Sequence, residues 1–316
     1  LVLYKLALYT LGEPKWAPFF QPDADIDWRH VGWGGVLVDD RPFGDPDPCP
    51  TSCIPSLDNP GVTDAAGGDW YADDRLVFGV VVNDEARAYP RNIMEIHEMV
   101  NDELGGRRIG MPYCTLCGSA QASYVDNVDG FAPVLRTSGL LIRSNKMMFD
   151  LETFSMIDTF TGQATTGPLA EAGVELEQIS VVTTTWADWK AEHPETTIIA
   201  EDGGIGRTYP LDPLGDRDAN GPIFPIGEAD PRLDVQEQVL GVILEDGTPI
   251  GIVVEDAVAA LEAGDEIDLG EVVVILDGGG VRAVRSDGAD AGGHQAFWFA
   301  WSQFHPETLI WPVDFE

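Results

Sequence analysis

The sequence predicts an α+β, β-rich fold. Two related, duplicated modules of mixed or antiparallel sheet with short helices are expected, fused into one body. Three observations predict it. Residues 186–198 read W-A-D-W-K-A-E-H-P-E-T-T-I, and residues 298–310 read W-F-A-W-S-Q-F-H-P-E-T-L-I, so Trp186/Trp298, Trp189/Trp301 and His193/His305 recur at fixed offsets. A second echo lies upstream of each, V-F-G-V-V-V-N-D at 77–84 and V-L-G-V-I-L-E-D at 239–246. Between the echoes, short β-rich runs alternate with short helical runs and tight turns, the pattern of an α+β arrangement.

Residues 12–70 lack periodicity and are rich in Pro, Asp and Gly, so residues 1–70 read as an irregular extension wrapping the body. Module one is expected over 71–200 and a degenerate module two over 201–316. The run Leu76–Val82 ends in Asn83-Asp84-Glu85, and Ala86–Tyr89 returns as a hairpin. Pro90 opens a helix with Ile93, Ile96, Val100 and Leu104 at helical spacing, ended by Gly105-Gly106. Arg107–Tyr113 is a strand feeding Cys114, and strands follow at Ala120–Val125, Val134–Ile142 and Lys146–Phe149. The first Trp-helix spans 186–192; Pro194 disfavours helix at His193, and Thr196–Ala200 is a strand. Module two repeats this with strands at 239–244, 249–254 and 271–276, a helix over 255–263 and the second Trp-helix. The paired tryptophans, spaced i and i+3, read as core anchors, and His193 and His305 as braces of the turn before Pro.

The formal charge is −36, from 54 acidic against 18 basic residues. Such a field makes nucleic acid and anionic membrane surfaces poor partners, and no nucleic-acid partner is expected. Salt screens self-repulsion, because the Debye length falls to roughly 3 Å near molar ionic strength. The composition therefore reads as adaptation to brine, with an extracellular or cell-surface location expected. No apolar run reaches the roughly 18 residues of a membrane span. The first segment, L-V-L-Y-K-L-A-L-Y-T-L, is very apolar; it reads as a strand of the chain's own sheet, or as a surface for a homo-oligomer or surface-protein partner.

The four cysteines form two close pairs, Cys49/Cys53 and Cys114/Cys117, and all four are disulfide candidates in an oxidising compartment. Cys114-Thr-Leu-Cys117-Gly118 follows a strand, and only module one carries it. Such a turn can chelate a soft metal, form a reactive disulfide or rest as a bridge. Helical spacing would put His97 on the inward stripe, four residues before Asn101, as a third ligand with Asn101 or Asp102 behind it. Met148 would add a thioether, and a Cys, His and Met set suits copper, with zinc the alternative. Asp216-x-Asp218-x-Asn220-Gly221 opens like a calcium loop, although its twelfth position, 227, is Gly. Asp23-x-Asp25-x-Asp27 is a weaker oxygen-donor pattern. Arg136, Ser138, Asn145, Asp150 and Thr153 could line the same cleft as His97. No nucleophile elbow, P-loop or dinucleotide fingerprint occurs, so no nucleotide cofactor is expected and no reaction is named.

Ile54-Pro-Ser-Leu-Asp-Asn-Pro60, Ala88-Tyr-Pro90, His97-Glu-Met-Val-Asn-Asp102, Tyr113-Cys-Thr-Leu-Cys-Gly-Ser119, Thr137-Ser-Gly139 and the first Trp-helix motif fall in a recognisable order. They resemble the bacterial and archaeal family of domain of unknown function 3179, from about residue 54 to 310. That family usually has Pro where this chain has Thr115. The resemblance implies a site around His97, Cys114 and Cys117 and carries no activity. The sequence thus supports an exported, salt-adapted protein with a Cys/His transition-metal or thiol-redox site. The alternative is a cell-surface structural or interaction protein whose cysteines are stabilising disulfides.

Overall fold

The structure is a computed structural model that describes residues 14–21, 26–50, 52–215 and 221–315. Its architecture is a five-bladed β-propeller with few helices, which corrects the expectation of an α+β pair of duplicated modules. The first sheet joins Val31–Trp33, Leu135–Ile142, Asn145–Asp150 and Met156–Asp158 in that order. The second runs Gln178–Ile179, Ala122–Tyr124, Arg107–Cys114, Met99–Leu104, Leu57–Asp58, with Ser119–Ala120 paired beside Arg107–Cys114. The third orders Val182–Thr185, Leu76–Val82, Glu85–Pro90, Thr197–Ile199 and Val62–Asp64. The fourth holds His294–Phe297, Gln238–Ile243, Pro249–Val253 and Leu309–Trp311; the fifth, Ile267–Asp268, Val272–Asp277 and Gly280–Arg285.

The Trp motifs belong to the third and fourth sheets, so the echo marks two blades of five and does not divide the molecule in half. In each, a helix (Trp186–Glu192 or Trp298–Phe304) crosses one sheet face, and the strand after it joins parallel to the neighbouring strand. Glycine in the central strand makes the seat. A Cβ on Gly79 would stand 2.3 Å from the Trp189 ring, and one on Gly241 2.0 Å from the Trp301 ring. Each indole also donates Nε1–H at 2.9 Å, Trp189 to the Thr196 hydroxyl and Trp301 to that of Thr308. Buried indoles need such a partner, and both find it seven residues on, past the Pro turn. His193 and His305 cap these helices and pack on the indoles, at 4.0 and 4.3 Å between ring centroids.

One helix ends early. The spacing of Ile93, Ile96, Val100 and Leu104 predicts helix to Leu104, but the helix is Arg91–His97, and Met99–Leu104 is a strand between two others. Glu98 takes a left-handed conformation (φ 54°) that closes the helix. Gly105 and Gly106 (φ 57° and 73°) make a hairpin turn into Arg107, where a helix end was expected. A strand buried on both faces shows no period-2 signal, and its apolar residues can mimic helical spacing.

The irregular N-terminal stretch is tied down by a Cys49–Cys53 disulfide and by Trp16 and Phe19, which pack into the first sheet. Among the described residues no helix is long and apolar enough to cross a membrane. The apolar segment 1–11 and the acidic loop 216–220 lie outside the described residues.

The Trp seats set a test. Gly79→Ala and Gly241→Ala should each lower the unfolding free energy by about 2–3 kcal/mol, because the rigid indole must move. Gly173→Ala, at φ 71° with nothing within 4 Å of its new Cβ, should lose only about 1 kcal/mol of backbone strain. Denaturant titration measures all three; equal losses would discard the indole seat as the cause.

Candidate functional site

Strand Arg107–Cys114 ends where the chain turns through Thr115 to Gly118 and returns as Ser119–Ala120. Cys117 N–H bonds back to the Cys114 carbonyl at 3.1 Å, and the Cys117 carbonyl accepts Phe297 N–H at 2.8 Å, fastening the turn to the fourth blade. Gly118 (φ 59°) is required there: a Cβ would lie 2.9 Å from the Phe297 ring. Neither cysteine is in a disulfide, and they are 1% and 0% exposed, within an apolar cluster that includes Phe160, Phe297 and Trp301. They were disulfide candidates by sequence; the structure bridges only Cys49 and Cys53.

The two sulfurs share an acceptor, the Ser144 carbonyl, at 3.7 Å from Cys114 and 2.8 Å from Cys117. Burial pushes the Cys114 thiol up. The Cys117 thiol and the backbone N–H groups of Cys117, Lys146 and Leu116 outweigh that, and the net shift is downward. Donors converging on one sulfur favour the thiolate, the nucleophilic and metal-binding form.

A buried ion pair flanks the turn. Thr115 Oγ1 donates to Glu98 Oε1 at 2.8 Å, and the Lys146 ammonium pairs with the other Glu98 oxygen. The side chains of Glu98 and Lys146 are 5% and 12% exposed, so each neutralises a charge that burial would otherwise make costly. Sequence reasoning passed over Glu98 in favour of its neighbour His97; the available signal was a carboxylate next to the helix end, in the same motif.

His97 points elsewhere. Its Nδ1 lies 2.6 Å from the Pro55 carbonyl and its Nε2 2.7 Å from the Tyr209 hydroxyl. A carbonyl only accepts, so Nδ1 carries the proton and the neutral ring's Nε2 accepts from Tyr209. Burial is the main cause that lowers His97 to about 4, with Arg207 and Arg41 adding to it, and burial raises Tyr209 to about 12. Both ring nitrogens are therefore engaged. Groups of three or more His, Cys, Asp or Glu ligand atoms within 4.8 Å occur, among the described residues, only at Asp39, Cys49 and Cys53; His97, Cys114 and Cys117 form no such group.

The remaining expected residues disperse as well. Met148 is buried in a different apolar cluster, with Met99, Leu135 and Ile157. Asn101 binds Asp58 and the backbone of Leu135, and Asp102 binds Arg87 and Tyr89, so neither stands behind a metal ligand. Arg136, fully buried, is forked onto Asp58 at 2.6 Å through each terminal nitrogen. Ser138 bonds the Met147 carbonyl, Asn145 the Ser119 and Thr159 hydroxyls, and Asp150 the Val134 and Thr153 backbone. They brace turns rather than line a cleft with His97. Asp216, Asp218 and Asn220, like Asp23 and Asp25, lie outside the described residues; Asp27 pairs with Arg29.

Asp39, Cys49 and Cys53 are the one possible metal-binding cluster among the described residues. Asp39 already accepts two bonds from the Arg41 guanidinium, at 2.6 and 3.0 Å, and one from Ser56 N–H at 2.8 Å. Bridged sulfurs offer no thiolate, so this cluster can hold a metal only when reduced.

With this geometry in place, a family model described as protein of unknown function (DUF3179) matches residues 51–292. The chain belongs to that family. The match takes in the Cys114 turn, Glu98, His97 and the first Trp-helix and stops before the second. No curated protein and no solved structure matches the chain. The family brings no reaction, so chemistry rests on the residues themselves.

His97 generates a pH prediction. The fold holds it neutral, so its contribution is complete above pH 6.5 and is lost as pH falls through about 4, where the unfolded chain binds a proton that the native one refuses. Wild type should lose about 3 kcal/mol more than His97→Gln between pH 7 and pH 4. Urea titrations at the two pH values measure this, and parallel losses would show that His97 is not held neutral.

Proposed function

We propose that this family member acts through the Cys114/Cys117 dithiol as a thiol-redox centre. The carrying observation is geometric: two buried cysteines of one turn, neither of them in a disulfide, converge on the same Ser144 carbonyl. Oxidation would break two S–H bonds and form one S–S bond. Two electrons and two protons would pass to a small-molecule oxidant such as a hydroperoxide. With Cys114 as attacking thiolate, the peroxide oxygen is taken as sulfenate and alcohol leaves; Cys117 then displaces water to close the bridge. Burial favours small oxidants over protein disulfides, since both sulfurs lie under apolar side chains.

A second reading is favoured by the same donor set: a dithiolate site for a soft monovalent ion such as copper(I). Two thiolates without a third protein ligand suit a low-coordinate soft ion better than tetrahedral zinc. The setting we propose for either reading is an exported protein in brine. A charge of −36 supports it, as does the disulfide between Cys49 and Cys53.

Thiol titration of the unfolded protein should find two free thiols as purified anaerobically and none after peroxide, with the intact mass lower by two hydrogens. In Cys117→Ser, the ultraviolet thiolate absorbance of Cys114 should titrate at higher pH than in wild type. A mass gain of one or more oxygens without loss of thiol pairs would sink the disulfide mechanism. Copper(I) retained one per chain, and lost in both serine variants, would instead establish the metal reading. Unfolding temperature should rise by several degrees between dilute buffer and molar potassium chloride; a flat or falling curve would count against salt adaptation.

A further inference from the structure

A cavity lined by described residues holds about 610 Å³, within the range of pockets that take small organic molecules. It opens where the loop at Phe160 and strand Gln178–Ile179 face the fourth blade. Phe160 and Trp301 form its aromatic wall, with two histidines between and beside them. His294 stands edge-on to Phe160 at 4.9 Å between centroids, and His305 packs on Trp301 at 4.3 Å. By sequence, His305 is only a brace of the Pro turn. The structure gives its counterpart His193 an aspartate partner, Asp277 at 2.6 Å, while His305 lines the cavity.

His294 is 3% exposed, and its Nε2 is buried without a hydrogen-bond partner. Buried polar atoms in native proteins almost always have one, so an unpartnered nitrogen on a residue that lines a cavity points to a ligand. Burial, with His305 adding to it, lowers His294 to about 3; burial and Arg143 lower His305 to about 4. Neither imidazole therefore brings positive charge to the wall at ordinary pH. The mouth carries two exposed carboxylates, Glu175 and Glu177, against one arginine, Arg285. Asp290 is already held by Ser180, Gly292 and Arg282. Among the described residues no preformed set of three His, Cys, Asp or Glu ligand atoms lies here, which argues for an organic ligand over a metal ion.

We propose that this cavity binds a small organic ammonium ion, a primary or secondary amine. It would donate an N–H to His294 Nε2, lay its apolar portion on the Phe160 and Trp301 wall, and have its charge balanced by Glu175 and Glu177. The site stands independently of the dithiol chemistry and holds whether or not Cys114 and Cys117 are redox-active.

Isothermal titration calorimetry on the full chain tests it with three probes built on the same phenethyl group: phenethylamine as its ammonium, 2-phenylethanol and hydrocinnamate. The amine should bind at least about tenfold more tightly than either comparator. His294→Phe should weaken it by about tenfold or more. Glu175→Gln with Glu177→Gln, both surface positions, should weaken it about threefold in dilute buffer and not at all in molar salt, where their field is screened. Amine binding no tighter than that of the alcohol or the carboxylate overturns the proposal, as does unaltered binding by His294→Phe. Should His294→Phe fail to fold, unchanged low-salt affinity in the double glutamine variant overturns it alone.

Discussion

The interior of this protein depends on pairing its few buried cations with carboxylates. Arg136 with Asp58, Arg41 with Asp39, Arg87 with Asp102 and Lys146 with Glu98 all lie at low exposure. Removing either partner leaves an uncompensated buried charge, which is destabilising by roughly 3–5 kcal/mol. These pairs also carry topology. Arg41 and Asp39 bind the irregular N-terminal stretch to Ser56, and Arg136 ties the first sheet to Asp58 on the edge of the second. Each pair takes one cation and one carboxylate inside, so the outer surface keeps the full acidic excess of the composition.

Aromatic seating is the second constraint, and it acts blade by blade. An indole on a strand glycine, with its N–H returned to a threonine beyond the Pro turn, fixes the helix, the turn and the following parallel strand together. That unit occurs in two sheets, and the other three blades are built without it. Equivalent frames then acquire different fittings: His193 meets a carboxylate, whereas His305 joins a cavity wall.

The dithiol and the cavity share aromatic packing. Phe160 and Trp301 belong to the apolar cluster that encloses Cys114 and Cys117, and both also line the cavity. The Cys114 turn is fastened to the fourth blade through Phe297. Movement of that blade would therefore be felt at both places, although their chemistries are separate.

Much of the local structure was legible in the sequence. Strand Leu76–Val82, its hairpin return, both Trp-helices and the strand into Cys114 follow from periodicity, Pro and turn residues, which act over a few positions. All four cysteines read as disulfide candidates with their pairing open, and the structure bridges Cys49 with Cys53. The helix expected through Leu104 did not follow, because neighbouring strands on both sides claim Met99–Leu104 for the sheet. That single boundary decided the site. Past the left-handed Glu98, adjacent side chains diverge: His97 turns to Pro55 and Tyr209, Glu98 to Thr115 and Lys146. Composition and motif alone determined family membership, the acidic surface and the presence of a Cys-x-x-Cys turn. Tertiary structure alone decided the five blades, which carboxylate attends the thiols and which histidine is left without a partner. Sheet pairing and buried hydrogen bonds join residues far apart in the chain, and no local pattern records them.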